Sequence, residues 1–195
     1  DPDAERDRYS KQLQHTVWDN SVRLADEYYE PGVFTTFAGY EWTSMVNGNN
    51  LHRCVIYKDE AALTTQVTPF SAQNSRDPED LWQALENYEQ VTGGDVLAIP
   101  HNGNLSNGMM WSLETLSGAP LDADYAQRRT RWEPVAEVTQ VKGDSETHPL
   151  LSPDDEFADF ERWDEFNIMN TQATEPHMLP GSYARSALKR GLAQE

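Results

Sequence analysis

Apolar side chains at Leu13, Val17, Trp18, Val22, Leu24 and Ala25 recur at roughly helical spacing and predict an amphipathic helix over residues 10–29, ended by Pro31-Gly32. The β-branched and aromatic run "VFTTFAGYEWTS" predicts a strand from Val33 to about Trp42, broken by the turn-forming "NGNN". "LHRCVIY" resumes as a strand with His52, Cys54 and Ile56 on one face and Arg53, Val55 and Tyr57 on the other. A second helix is signalled from Asp77. Asp77 can cap it, Pro78 suits the first turn, and Glu79 and Asp80 suit its positive end. Leu81, Trp82, Leu85 and Tyr88 form its apolar stripe, and Gly93-Gly94 closes it.

The short run "DVLAIP" predicts a buried strand that leads directly into His101. Residues 122–132 are expected to be helical, and "EPVAEVTQVKG" to be a further strand. "DSETHPLLSPDDEFADFERWDEFN" is expected to be loop followed by a short acidic helix, and a last helix runs from Ser182 to about Gly191. Strands alternating with helices suggest one α/β domain over residues 1–195 with parallel βαβ units, whose ligand groups gather at the carboxyl ends of strands. Trp18, Trp82, Trp132 and Trp163 are expected in the core.

Charge narrows the picture. A net −18, from 33 acids against 15 bases, argues against general nucleic-acid or anionic-membrane binding and suits a cation. No apolar run of 18 residues is present, so no membrane span is expected. The single Cys54 excludes an internal disulfide and, set among apolar strand residues, reads as a structural thiol rather than a nucleophile. Neither compartment nor oligomeric state is encoded. A periplasmic or secreted location is weighted marginally above the cytoplasm, and a homo-oligomer is left open.

Three polar groups fall at predicted strand ends, Glu41, His101 and the "KGDSETH" stretch, and His52 lies on a strand face with Cys54. Singly, Glu41 reads as a solvated or paired carboxylate and His52 as a hydrogen-bonded core histidine. Together, a carboxylate and imidazoles are the usual donors to zinc, manganese or iron, and separate strand ends can bring them together without local spacing. Asn102 and Asn104, in the turn after His101, are candidate substrate-binding donors. The "KGDSETHP" stretch adds Lys142, a candidate for holding a substrate anion, together with Glu146 and His148. His148 is open between general acid, metal ligand and ordinary loop histidine. There is no HExxH, no GxSxG and no P-loop lysine, and the acidic run lacks the glycine and spacing of a calcium loop.

The phrases "GYEWTS", "NNLHRCVIY", "IPHNGNLSNG", "EVTQVKGDSETHPLLSPDDEFADFE" and "MLPGSYARSALKRGL" resemble the family catalogued as domain of unknown function 3604. That family looks like a branch of the PHP (polymerase and histidinol phosphatase) metal-dependent phosphoesterases. The resemblance implies a distorted (β/α)7 barrel with two or three divalent metals at its strand ends. Glu41 in "GYEW" matches a bridging glutamate, His101 in "IPHNGN" a metal histidine, and His52 an intermediate histidine. Lys142, Glu146 and His148 have no secure PHP counterpart and are proposed as catalytic groups. The His-x-His and Asp-x-His pairs of PHP enzymes are absent from these residues. The chain is therefore expected to be an interior portion of such a barrel, with an incomplete site.

The function this implies is metal-dependent hydrolysis of a small anionic ester, most simply a phosphoester. The alternatives are a non-catalytic binding module of the same fold, or hydrolysis of a lactone, amide or sulfate ester, since fold does not choose the electrophile.

Overall fold

The structure, a computed structural model, describes residues 2–193. Helix α1 spans Pro2–Glu27, starting earlier than its apolar pattern predicts. Trp18 and Val22 are buried and Ala25 is half-buried, one stripe at i, i+4 and i+7. Leu13, Val17 and Leu24 lie about a quarter-turn away and remain exposed. Strand β1 is Ala38–Trp42, shorter than the expected Val33–Trp42. Its register with the next long strand begins at Ala38, while Phe34 bridges back to Glu30 across the Pro31-Gly32 turn. Residues 33–37 therefore have no ladder to join.

Strands β2 (Met45–Val46) and β3 (Asn49–Asn50) form a small hairpin. Asn47 and Gly48, at φ 53° and 81°, supply the two left-handed positions of its turn. Then come β4 (Arg53–Tyr57), the short α2 (Ala61–Thr64) and α3 (Pro78–Thr92). The signals read for α3 are all used: Asp77 accepts from the Glu79 amide, Pro78 is in the first turn, and Gly93 ends it at φ 72°. β5 is Val96–Pro100, and α4 is Ala123–Trp132, capped by Asp122.

Helix and strand are mixed, as expected, but the parallel barrel is not what the described residues form. The main sheet has three strands in the order β1-β4-β5, and both neighbouring pairs are antiparallel. β1 returns into β4 through the short segment that holds β2 and β3, which sets that pair in opposite directions, and the longer connection through α2 and α3 brings β5 back against β4. "EPVAEVTQVKG" is not one strand either. Only β6 (Thr139–Gln140) and β7 (Gly143–Asp144) pair, as a two-residue ladder. The acidic stretch 154–165 is turns rather than helix; Asp155 draws the amides of Phe157 and Ala158 into local turns. Helix α5 is Ala184–Leu192.

One face of the sheet carries Ala38, Trp42, Val55, Tyr57, Val96 and Ala98 into the core, where α1 packs on β1 and α3 and α4 pack on β5. Trp18, Trp82 and Trp132 join this core, whereas Trp163 is exposed, contrary to expectation. Beneath the same face Glu133 is ion-paired with Arg53 (2.9 Å) and Arg129 (3.1 Å). Among the described residues no helix is long and apolar enough to cross a membrane.

Candidate metal centre

Because β4 runs against both neighbours, its amino end and the carboxyl ends of β1 and β5 share one edge of the sheet, with Trp42, Arg53 and Pro100 in register. Glu41 therefore lies one residue in from that edge, and His52 and His101 lie one residue beyond it. Side-chain alternation sends all three to the face away from the helices. The His101 amide donates to the His52 carbonyl (3.4 Å), continuing the ladder past the last strand residue.

At that edge the rings meet the carboxylate. Glu41 Oε1 lies 3.1 Å from His52 Nδ1 and 2.9 Å from His101 Nε2. The three offer one donor atom each, all within 4.8 Å of one another. The His52 and His101 side chains are 10% and 6% exposed, against 44% for Glu41, so two dry imidazoles meet a carboxylate that reaches solvent. Burial alone would push the Glu41 carboxyl up. The His101 hydrogen bond and the charges of both imidazoles outweigh it and hold the carboxyl below its ordinary range. His52 is shifted down as well, first by burial and only partly restored by Glu41. Both shifts favour an ionised carboxylate beside a neutral ring, the forms that donate lone pairs to a cation.

The donor spacing fits an ion. Zinc with bonds of about 2.1 Å holds tetrahedral donors roughly 3.4 Å apart, so the Glu41–histidine separations need to open by only a few tenths of an ångström. His52 Nε2 is buried without a hydrogen-bond partner. Leaving such an atom unsatisfied costs about 1–3 kcal/mol.

The histidine loops are held from below. Asn50 Nδ2 donates to the carbonyl oxygens of His101 (2.7 Å) and Asn102 (2.9 Å), and Asn50 Oδ1 accepts from the His52 amide (3.4 Å). Asn50 was not singled out from sequence, where "NGNN" reads only as a break. Its alternation with His52 along the chain was the available signal. Asn50→Ala is expected to strip two buried carbonyls of their donor and cost about 1–3 kcal/mol. Asn50→Asp, which keeps an acceptor but loses the donor, should melt at a similarly lowered temperature. Unchanged melting curves for both would show that the loop is held by other contacts.

The remaining predicted residues separate. Asn102 is fully buried at φ 51°, and neither atom of its amide has a partner. Asn104 is consumed internally: its Nδ2 donates to the Lys142 and Trp163 carbonyls and its Oδ1 accepts from Ser145. Lys142 occupies the β6–β7 turn beside Val141, which is 91% exposed. Its charge is felt by both His52 and Cys54, and among the described residues it has no ion-pair partner. Glu146 instead pairs with Arg185 on the surface. His148 is outside the cluster, with both ring nitrogens engaged: Nδ1 accepts from the Leu150 amide (3.0 Å) and Nε2 faces Asp164 (2.7 Å).

Residues 2–195 match the family described as Protein of unknown function (DUF3604). The chain belongs to the DUF3604 family. No curated protein and no solved structure matches it. For this DUF3604 chain, the chemistry must therefore be argued from its own residues, and the Glu41–His52–His101 edge is the place where they converge.

Proposed function

We propose that this protein is a metal-dependent hydrolase whose Glu41, His52 and His101 hold a divalent cation, zinc, manganese or iron, and whose substrate is a small anionic ester, most simply a phosphoester. The observation that carries this reading is the convergence of one carboxylate and two buried imidazoles within 4.8 Å of one another. The resemblance of "GYEW" and "IPHNGN" to the PHP phosphoesterases supports it. When bound, the ion supplies Lewis-acid activation of water and of the scissile group.

The chain's own residues supply the rest. Glu41 keeps its negative charge and reaches solvent, so it faces the side from which substrate arrives. Asn50 holds the backbone of both histidines and burial confines their rings, so the imidazoles are already gathered beside the carboxylate. Lys142 is a cation near the cluster with no ion-pair partner among the described residues, in a chain where acids outnumber bases more than two to one. That supports a role in orienting an anionic group.

The test is calorimetric titration of the protein with zinc and manganese, followed by assays on aryl phosphomonoesters, phosphodiesters, a lactone and an amide. Micromolar binding with phosphoester turnover is the expected result. Failure to bind any of zinc, manganese or iron would end the reading, and turnover of only the lactone or amide would move it to a non-phosphate electrophile. Hydrogen bonds to charged groups contribute about 1.5–3 kcal/mol. Lys142→Gln is accordingly expected to raise KM for the anionic ester about 10-fold or more while leaving metal affinity unchanged. An unaltered KM would remove Lys142 from the substrate path.

A further inference from the structure

Cys54 stands directly between Glu41 and Ile99 in the sheet register, on the same face as the candidate metal donors. Its Sγ lies 3.7 Å from His101 Nδ1, while His101 Nε2 points the other way, 2.9 Å from Glu41. The thiol is therefore behind the ring rather than beside the cation position, and it cannot serve as a further donor to the same ion without turning the imidazole over. Among the described residues the polar contact of its Sγ is the buried His101 ring.

We infer that Cys54 is a positioning residue that lets the His101 imidazole exchange tautomers as the centre fills. This rests on the metal reading above. Before a cation binds, the His101 tautomer that donates Nε2–H to Glu41 leaves Nδ1 bare, and the Cys54 S–H faces it as a donor. When Nε2 gives its lone pair to a cation, the ring's one proton must reside on Nδ1. The proton moves from Nε2 to Nδ1 by exchange through solvent, none is gained or lost by the ring, and Nδ1–H then donates to the sulfur lone pair. A thiol serves both states because sulfur is a donor and an acceptor. A backbone carbonyl or carboxylate at this position accepts only. It would hold the proton on Nδ1 before a cation binds and turn a bare Nε2 toward the Glu41 carboxylate, lone pair against lone pair.

Two features of the sequence converge on this. The strand alternation that places His52 on the open face places Cys54 there too, two residues on. Antiparallel pairing with β5 sets Cys54 opposite Ile99, two residues before His101.

The experiment compares wild type, Cys54→Ser and Cys54→Ala by nitrogen-15 NMR of the histidine side chains, metal-free and with zinc, alongside calorimetric zinc titration. Wild type should show His101 protonated at Nε2 without metal and at Nδ1 with zinc. A serine hydroxyl also donates and accepts, so Cys54→Ser should keep both states and nearly all the affinity. Loss of an outer partner of a metal histidine typically lowers affinity about 10–100-fold, and Cys54→Ala is expected to fall in that range with mixed tautomers in the metal-free ring. Unchanged zinc affinity and unchanged His101 shifts in Cys54→Ala would overturn the inference, as would an Nδ1–H ring in metal-free wild type. If wild type binds none of zinc, manganese or iron, the metal reading fails by itself. The metal-free spectra then decide the Cys54 contact alone: a tautomer that loosens in Cys54→Ala upholds it, and identical spectra reject it.

Discussion

Glu41→Ala and His101→Ala are each expected to lower zinc or manganese affinity by more than ~100-fold, since changing even an outer partner of a metal ligand costs about 10–100-fold, and to abolish measurable hydrolysis. Glu41 contributes the only carboxylate of the cluster, and its Oε1 meets both imidazoles. The two variants should differ in stability. Glu41 is 44% exposed, so water can take over its contacts, and Glu41→Ala should melt near wild type. His101 is buried, and His101→Ala opens a cavity and removes the ring contacts to Cys54 and Glu41, so its melting temperature should fall. Glu41→Gln keeps an acceptor for the rings but removes the charge, and its affinity should lie with that of Glu41→Ala. Retained metal and retained turnover in Glu41→Ala would place the chemistry elsewhere in the molecule.

The largest loss of stability is expected from Glu133→Ala. The Glu133 side chain is 1% exposed and accepts from Arg53 Nε (2.9 Å), Trp82 Nε1 (2.9 Å) and Arg129 Nε (3.1 Å), while the Arg53 side chain is 2% exposed. Burial alone would raise the Glu133 carboxyl, but the two guanidinium charges and the bonds from Arg53 and Trp82 outweigh it and hold it below its ordinary range. Removing the carboxylate leaves Arg53 buried and uncompensated, at a cost of about 3–5 kcal/mol. At roughly 2–4 °C per kcal/mol for a chain of this size, the melting temperature should drop by on the order of 10 °C. The double variant Arg53→Met/Glu133→Leu should be less destabilised than Glu133→Ala, because no lone charge remains.

The pH dependence has a definite sign. A carboxylate depressed in the folded state contributes stability that is fully present above its unfolded pKa, about 4.3, and is lost as pH falls through the lower folded value. Glu133→Gln should lose that part of the acid slope. Since Arg53 follows His52 directly and opens β4, a weakened Glu133 network should also loosen the candidate metal centre, seen as lowered zinc affinity without any change to a donor. Melting temperatures of the three variants that match wild type would show that the buried pair is not what anchors β4.

Local signals in the chain were sufficient for the elements that depend on neighbours in sequence. Asp77, Pro78 and Gly93 mark α3 because caps and left-handed ends are properties of single residues. The alternation His52-Arg53-Cys54-Val55 determined which side chains share a face of β4, because a strand has a period of two wherever it lies. Glu41, His52 and His101 were recognisable by residue type and position at strand ends. What sequence alone did not determine was direction and partnership. Nothing local in "LHRCVIY" says that it runs against both neighbours, yet that reversal is why His52, at the start of its strand, meets Glu41 and His101, at the ends of theirs. "EPVAEVTQVKG" has strand-forming residues but only Thr139, Gln140 and Gly143 in it find a ladder, and residues 33–37 find none, because a strand is stabilised by a partner that its own residues do not specify. Asn50, Cys54 and the Glu133 network likewise acquire their roles only from what the antiparallel register sets beside them. Propensity and alternation are written along the chain; register, burial and the pairing of charges arise from contacts between residues far apart in it, and those only the tertiary structure decided.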